Sequence, residues 1–445
     1  MATKMTSELA SRARAVIPGG VNSNFRKDEY YTPVFVDHGE GARIFDVDGN
    51  EYIDFSLSYG PSVLGHSNPR LRRAIVETAE RLYSPVSTDL EVKAAEKLVE
   101  HLPSVELVRF ACSGTDATYN VLRVARWYTG RNRVVRFCGH YHGGTDEILG
   151  GVVADPDDPT PVAGERADDL FSLVTNTGGR ARHAFADTYL VEWNDLDVLR
   201  RLFERSGDQI AAVIMEPVMV NLYGCTPLPG YLEGVRELCD RYGTVLIFDE
   251  VLTGFRIGLS GAQGHFGVMP DLCTFAKALG GGFPVSAFGG RTEIMDGFTT
   301  TEVVGGGTYN GHPLAMASVI ATIEELERDG AAAFEVIDRL GTDLKEGIEQ
   351  IARRHGVPLL LQGFPGAWTF TVTDQPVIRN HREGLGDGLF EAGELQGHLK
   401  AHGILTTLRF CTSAAHTDRD IAEALERIDA AVAEYAAGRE RRTDV

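Results

Sequence analysis

The sequence Leu-Val-Arg-Phe-Ala-Cys-Ser-Gly-Thr-Asp-Ala at residues 107–117 predicts a strand, a glycine turn and the start of a helix. The helix continues over 118–128 and ends at Gly130. The free backbone N–H groups at a helix start can bind a phosphate; Gly114 permits close approach and Thr115 adds a hydroxyl. Ser and Thr before a helix are more often simple caps, so this motif alone is a weak signal for a phosphate site.

Similar short apolar segments recur along the middle of the chain, each followed by a polar or glycine-rich loop, with helical stretches between them. They lie at 107–111, 134–137, 212–215 and 245–248. This alternation predicts an α/β fold with a mostly parallel central sheet and helices on both faces. We expect a large domain over 68–315 and a smaller α+β domain built from both chain ends, 1–67 and 316–445.

Composition excludes several classes of function. The chain has 445 residues, with 43 Lys and Arg against 63 Asp and Glu, so its formal net charge is −20. This acidity argues against a nucleic-acid or membrane partner, and the apolar runs are far shorter than the ~20 residues of a membrane span. Six scattered cysteines without a C-x-x-C pair indicate reduced thiols and a cytoplasmic protein. His140 and His142 lack further metal-ligating neighbours in sequence, so we expect no metal.

Two further segments carry chemistry. The sequence Val-Leu-Ile-Phe-Asp-Glu at 245–250 predicts a buried strand that ends in two carboxylates, Asp249 and Glu250. Such carboxylates need a cation, a protonated ring nitrogen or a capping role. Lys277 lies among apolar residues and glycines, which lower the pKa of an amine and favour a Schiff-base role.

The three elements together fit one cofactor. Pyridoxal phosphate needs a lysine for its aldehyde, a carboxylate for its ring nitrogen and a helix N-terminus for its phosphate. Lys277, Asp249 and the Gly114-Thr115 turn offer these groups. We therefore predict a pyridoxal 5'-phosphate site.

On these and further motifs the sequence resembles the class III (ornithine-type) aminotransferases of fold type I, and within them the glutamate-1-semialdehyde aminomutases most closely. The matching motifs include Pro18-Gly19-Gly20-Val21-Asn22-Ser23, Ser113-Gly114-Thr115-Asp116-Ala117, Tyr141-His142-Gly143, Glu216-Pro217-Val218, Phe248-Asp249-Glu250-Val251 and Gly307-Thr308. The resemblance implies a fold type I transferase and a homodimer with shared active sites.

The resemblance also implies roles for single residues around the cofactor. Lys277 would be the Schiff-base lysine and proton shuttle, and Asp249 the partner of the ring nitrogen. Tyr141 would stack on one face of the ring and Val251 would pack on the other. The remaining implied cofactor residues are Ser113, Gly114, Thr115, His142, Glu216 and, from the other subunit, Thr308.

The substrate side departs from the family pattern. The resemblance implies that Ser23 and Arg26 bind a substrate carboxylate, with Arg409 as a rival for that role. Tyr59 stands where the aminomutases usually have Trp, and a long charged segment at 151–187 replaces their glycine- and serine-rich lid.

These departures favour an aminotransferase that moves an amino group from an amino acid, glutamate first, to a carbonyl acceptor. The alternative is an aminomutase that moves the amino group within one substrate. A third possibility is a protein that binds pyridoxal phosphate without turnover.

Overall fold

The central sheet has seven strands. The computed structural model describes residues 4–26, 34–149, 179, 181, 184, 186–386 and 388–443. The strands of this sheet are β4 (Leu107–Ala111), β5 (Arg133–Phe137), β6 (Thr188–Val191), β7 (Ile210–Met215), β8 (Val245–Asp249), β9 (Leu272–Phe275) and β10 (Ser286–Gly290). Their order is β4-β10-β9-β8-β7-β5-β6, and only β10 runs antiparallel to its two neighbours. The predicted mostly parallel sheet is therefore confirmed.

Helices cover this sheet, and all residues of β7 and β8 are buried between them. The helices of the first two thirds of the chain are α1 (Lys4–Val16), α2 (Pro69–Arg81), α3 (Asp89–His101), α4 (Gly114–Thr129), α5 (Leu196–Ser206), α6 (Tyr231–Tyr242), α7 (Gly261–Phe266) and α8 (Thr292–Thr299). Those that follow are α9 (Pro313–Arg354), α10 (His381–Gly384), α11 (Gly388–Ala401) and α12 (Asp418–Thr443). Short 3-10 turns lie at Pro18–Gly20, Asn24–Arg26, Gly207–Gln209 and Lys277–Gly280.

Two smaller sheets lie outside the central sheet, and the first of them combines both chain ends. One contains β1 (Val36–Glu40), β2 (Arg43–Asp46), β3 (Glu51–Asp54) and β13 (Ile404–Leu405). The other contains β11 (Leu359–Phe364), β12 (Ala367–Val372) and β14 (Arg409–Cys411). Since β13 pairs in parallel with β3, the C-terminal region completes a sheet begun near the N-terminus. The division at residues 67 and 315 stays a prediction.

An ion-pair cluster fastens the two chain ends to each other. The guanidinium of Arg43 on β2 reaches Asp420 and Glu423 of α12, each at 2.7 Å, and also contacts Glu51. Arg43 is mostly buried, so the pairs are only partly screened by water.

Two predictions from composition can be compared with the structure. All six cysteines are free thiols, as expected. No helix in the described ranges is long and apolar enough to cross a membrane. The cytoplasmic location stays a prediction.

Candidate active site

The predicted phosphate cradle forms at the start of α4. Ser113 caps the helix by accepting a hydrogen bond from the backbone N–H of Asp116 at 3.2 Å. The Thr115 hydroxyl accepts one from the N–H of Gly144 at 3.1 Å, which joins a glycine loop to the helix start. A Cβ added at Gly114 would lie 3.2 Å from a methyl group of Val251, so only glycine leaves this surface relaxed.

Asp249 lies buried at the C-terminal end of β8, where parallel sheets place their ligands. Its Oδ2 accepts a hydrogen bond from Nδ1 of His142 at 2.7 Å. Its Oδ1 accepts bonds from the Thr274 hydroxyl and the Val251 backbone N–H, both at 3.1 Å. These donors hold the carboxylate in one orientation.

The neighbouring carboxylate, Glu250, caps α7, which is one of the roles that the sequence allows for such a carboxylate. It is fully buried and accepts hydrogen bonds from the backbone N–H of Ala262 and from both the backbone and side chain of Gln263 at the start of α7. Burial raises the pKa of Glu250. Only Asp249 of the pair therefore points toward the candidate site.

Lys277 begins the turn after β9 with a left-handed φ of 46°, a conformation that costs energy in a non-glycine residue. Burial, and next the nearby charge of Arg409, lower the pKa of Lys277 to about 8, while Glu216 and Asp249 act in the opposite direction. A large share of the amine is thus neutral near pH 8, as a nucleophile or proton acceptor requires.

Glu216 holds the loop His140-Tyr141-His142 in place through two hydrogen bonds. The Glu216 carboxylate accepts a hydrogen bond from the Tyr141 backbone N–H at 2.7 Å, and the Glu216 N–H donates to Nδ1 of His140 at 2.9 Å. Burial keeps the pKa of His140 well below its ordinary value, so this ring is a neutral acceptor. The two histidines are therefore structural partners of Glu216 and Asp249 in this fold.

The N-terminal turn Asn24–Arg26 reaches the same loop. The ring of Phe25 meets the ring of Tyr141 edge-on, with centroids 5.6 Å apart. The Tyr59 hydroxyl donates a hydrogen bond to the carbonyl of Phe25. The backbone N–H of Arg26 bonds to the carbonyl of Ser23 at 2.9 Å, and the Arg26 side chain is exposed. The structure thus brings Phe25, the residue before Arg26, into contact with Tyr141.

Arg409 is the buried cation of the substrate side. Its guanidinium donates at 3.3 Å to the carbonyls of Val220 and Tyr59 and to Oδ1 of Asn221. All three acceptors are neutral, and Nε of Arg409 has no partner among the described residues. Neutral acceptors at this distance compensate a buried charge poorly, so the guanidinium can still bind an anion.

A second buried guanidinium, Arg256, was not singled out as a site residue from sequence. It bonds to the carbonyls of Gly60 and, at 3.2 Å, Thr412, and burial lowers its pKa. Arg256 lies seven residues after Asp249, but sequence did not reveal its neighbours. Asn221 gave no signal, since its contact with Arg409 joins segments 188 residues apart.

Two predicted features lie outside this group. Thr308 is exposed in the loop before α9 and makes no hydrogen bond to the described residues. Most of the 151–187 segment falls outside the described residues.

The residues present fit pyridoxal phosphate. The phosphate would lie at Gly114, where an added Cβ would come into tight contact with Val251. The ring nitrogen would pair with the oriented carboxylate of Asp249, and the aldehyde would react with the amine of Lys277, whose pKa is lowered.

Known proteins share the sequence and the fold of this chain. The sequence model of the family described as Aminotransferase class-III matches residues 25–432. The chain is 41% identical over 429 residues to the glutamate-1-semialdehyde 2,1-aminomutase of Acetivibrio thermocellus, covering 94% of this chain and 96% of the relative. Its fold superimposes on an omega-transaminase from Sphaerobacter thermophilus with a TM-score of 0.86 and 31% identity, covering 97% and 98% of the two chains.

A glutamate-1-semialdehyde aminomutase from Pseudomonas aeruginosa PAO1, solved in complex with PMP, gives a TM-score of 0.83 at 25% identity, covering 97% of this chain and 94% of that one. These likenesses confirm the fold type I prediction.

Proposed function

Since the chain belongs to the class-III aminotransferase family of pyridoxal-phosphate enzymes, we propose that it moves an amino group within one small substrate of the glutamate-1-semialdehyde type. The observation that carries this proposal is the nearly full-length likeness to aminomutases of that name. Sequence analysis favoured transfer between two molecules, and these relatives favour the intramolecular alternative instead.

The residues of the chain supply the proton transfer and the orientation. Pyridoxal phosphate, when bound, supplies a carbonyl carbon that holds the amino group and a ring that withdraws electrons. Lys277 accepts and returns a proton at Nζ, which its pKa of about 8 permits near neutrality. Asp249, oriented by His142, keeps the ring nitrogen protonated. Gly114 and Thr115 hold the phosphate.

We propose that Arg409 binds the substrate carboxylate and that Arg26 assists at the mouth of the pocket. Arg409 is buried, and its acceptors among the described residues are neutral. It is also close enough to Lys277 to lower the pKa of that amine. A substrate carboxylate would replace weak acceptors with charge-assisted hydrogen bonds. Arg26 is exposed, so the same contact with a carboxylate contributes less binding free energy there.

We also propose the homodimer that the role of Thr308 requires. Thr308 is exposed between Val304 and Tyr309, whose apolar side chains are 71% and 62% exposed. A second copy seated on this loop would cover them and present Thr308 to the neighbouring cradle. Light scattering tests this, and a stable, active monomer would refute it.

A second candidate is transfer between two molecules, with an amino acid as donor. Arg409 also favours this candidate, because a buried guanidinium can bind the carboxylate of any amino acid. The likeness to an omega-transaminase also supports it.

One experiment separates the candidates. The holoprotein is given glutamate-1-semialdehyde with no second substrate, and we expect the amino group to move from C2 to C1, with Lys277→Ala as the inactive control. If glutamate alone is instead converted to 2-oxoglutarate while the protein loses its yellow colour, the second candidate is correct. A cofactor spectrum with neither reaction would leave only the non-catalytic binding protein.

A further inference from the structure

We propose that Tyr59 is a positioning residue whose hydroxyl fixes the N-terminal turn Asn24–Arg26 over the pocket and thereby sets the place of Arg26. The inference rests on the proposed function only in assuming a carboxylate substrate.

The side chain of Tyr59 joins parts of the chain that are 34 residues apart. Its hydroxyl donates to the carbonyl of Phe25, the residue directly before Arg26. Phe25 is 53% exposed, so little apolar packing holds this turn. The edge-on contact of Phe25 with Tyr141 is a second attachment of the turn to the described residues. The hydrogen bond is therefore a substantial part of what joins the turn to the described part of the site.

The backbone of Tyr59 is itself held in an unusual shape. Leu57, Ser58 and Tyr59 all have left-handed φ values of 47°, 59° and 69°. Non-glycine residues adopt this region at a cost, so the surrounding contacts must enforce it. The result is that two successive carbonyls, of Tyr59 and Gly60, accept hydrogen bonds from the buried guanidiniums of Arg409 and Arg256.

This arrangement makes Tyr59 the link between the two candidate carboxylate binders. Its carbonyl bonds to Arg409 while its hydroxyl holds the turn that carries Arg26. The hydroxyl can be removed without changing the backbone. Tyr59→Phe therefore frees the turn with Arg26 and leaves Arg409 in place.

The experiment compares Tyr59→Phe with Tyr128→Phe, an exposed tyrosine on α4, in the holoprotein. Amide hydrogen exchange over residues 21–26 should be about fivefold faster in Tyr59→Phe, because the loss of one hydrogen bond changes the opening equilibrium by about that factor. Exchange there should be unchanged in the control. The KM for a carboxylate substrate should rise about three- to tenfold, with kcat nearly constant. In an Arg26→Gln background, Tyr59→Phe should add no further change in KM.

Unchanged exchange over 21–26 would overturn the proposal, as would a KM effect that persists in full without Arg26. If the protein transfers no amino group at all, the proposed function fails, yet the exchange measurement still decides the role of Tyr59. Should Tyr59→Phe not fold, Tyr59→Met removes the same hydroxyl and must give the same faster exchange over 21–26.

Discussion

Replacing Arg409 by Gln should change two independent properties of the site. The substitution keeps a polar side chain, although a shorter one, and removes the buried positive charge. A carboxylate bound by a guanidinium gains charge-assisted hydrogen bonds worth about 1.5–3 kcal/mol, so the KM for a carboxylate substrate should rise about 10- to 150-fold. The KM for the corresponding carboxamide substrate should rise far less.

The second property is the protonation of Lys277. After burial, Arg409 is the strongest influence that lowers the pKa of this lysine to about 8. Without the cation, the ammonium form is less disfavoured, so the pKa rises and less neutral amine is present at a given pH. The rate at which apoprotein takes up pyridoxal phosphate, followed by absorbance across the pH range around 8, should therefore shift its midpoint to higher pH.

Arg26→Gln is the matched control for Arg409→Gln. Arg26 is exposed and is not among the groups that shift the pKa of Lys277, so its loss should raise KM without moving the pH midpoint. If Arg409→Gln leaves both the KM ratio and the midpoint unchanged, the carboxylate site does not lie at Arg409. If Arg26→Gln alone raises KM, the site lies on the N-terminal turn.

Three further outcomes are expected. Lys277→Ala should retain the fold while borohydride no longer links the cofactor to the protein, as mass spectrometry would reveal. Gly114→Ala places a Cβ 3.2 Å from a neighbouring methyl group and should weaken cofactor binding by about 1–3 kcal/mol in a titration, whereas Gly144→Ala, with open space around its Cβ, should not. Arg43→Met should lower the free energy of unfolding by about 1–2 kcal/mol. Arg43 lowers the pKa of Glu423, so the loss of unfolding free energy should shrink as the pH falls below the ordinary glutamate pKa of about 4.3. A Tm difference between Arg43→Met and the unchanged protein that persists below this pH would contradict this account.

The cofactor side was predictable because each of its parts is local. Gly114 and Thr115 start a helix directly after a strand, Asp249 ends a strand and Lys277 follows one, so short patterns reveal them. The local pattern alone did not separate Asp249 from Glu250, and only the family resemblance implied Asp249. In the structure, backbone N–H groups of α7 bind Glu250, a contact that no short pattern reveals.

The substrate side could not be predicted in the same way. Arg409, Tyr59 and Asn221 meet across separations of 350 and 188 residues, and no local pattern records such a meeting. The neutral character of the acceptors around Arg409 emerges only once the three segments are folded together. From sequence alone, Arg26 was therefore the first candidate for the carboxylate site and Arg409 its rival.

The separation between these two sides bears on how such an enzyme can diverge. The cofactor groups are anchored to the central sheet, while the turn Asn24–Arg26, Tyr59 and Arg409 belong to segments near the two chain ends. Mutations in those peripheral segments can alter substrate preference while the strand ends and the capping of α4 stay intact. Descendants of one ancestral chain can thus acquire new substrates without first losing the cofactor.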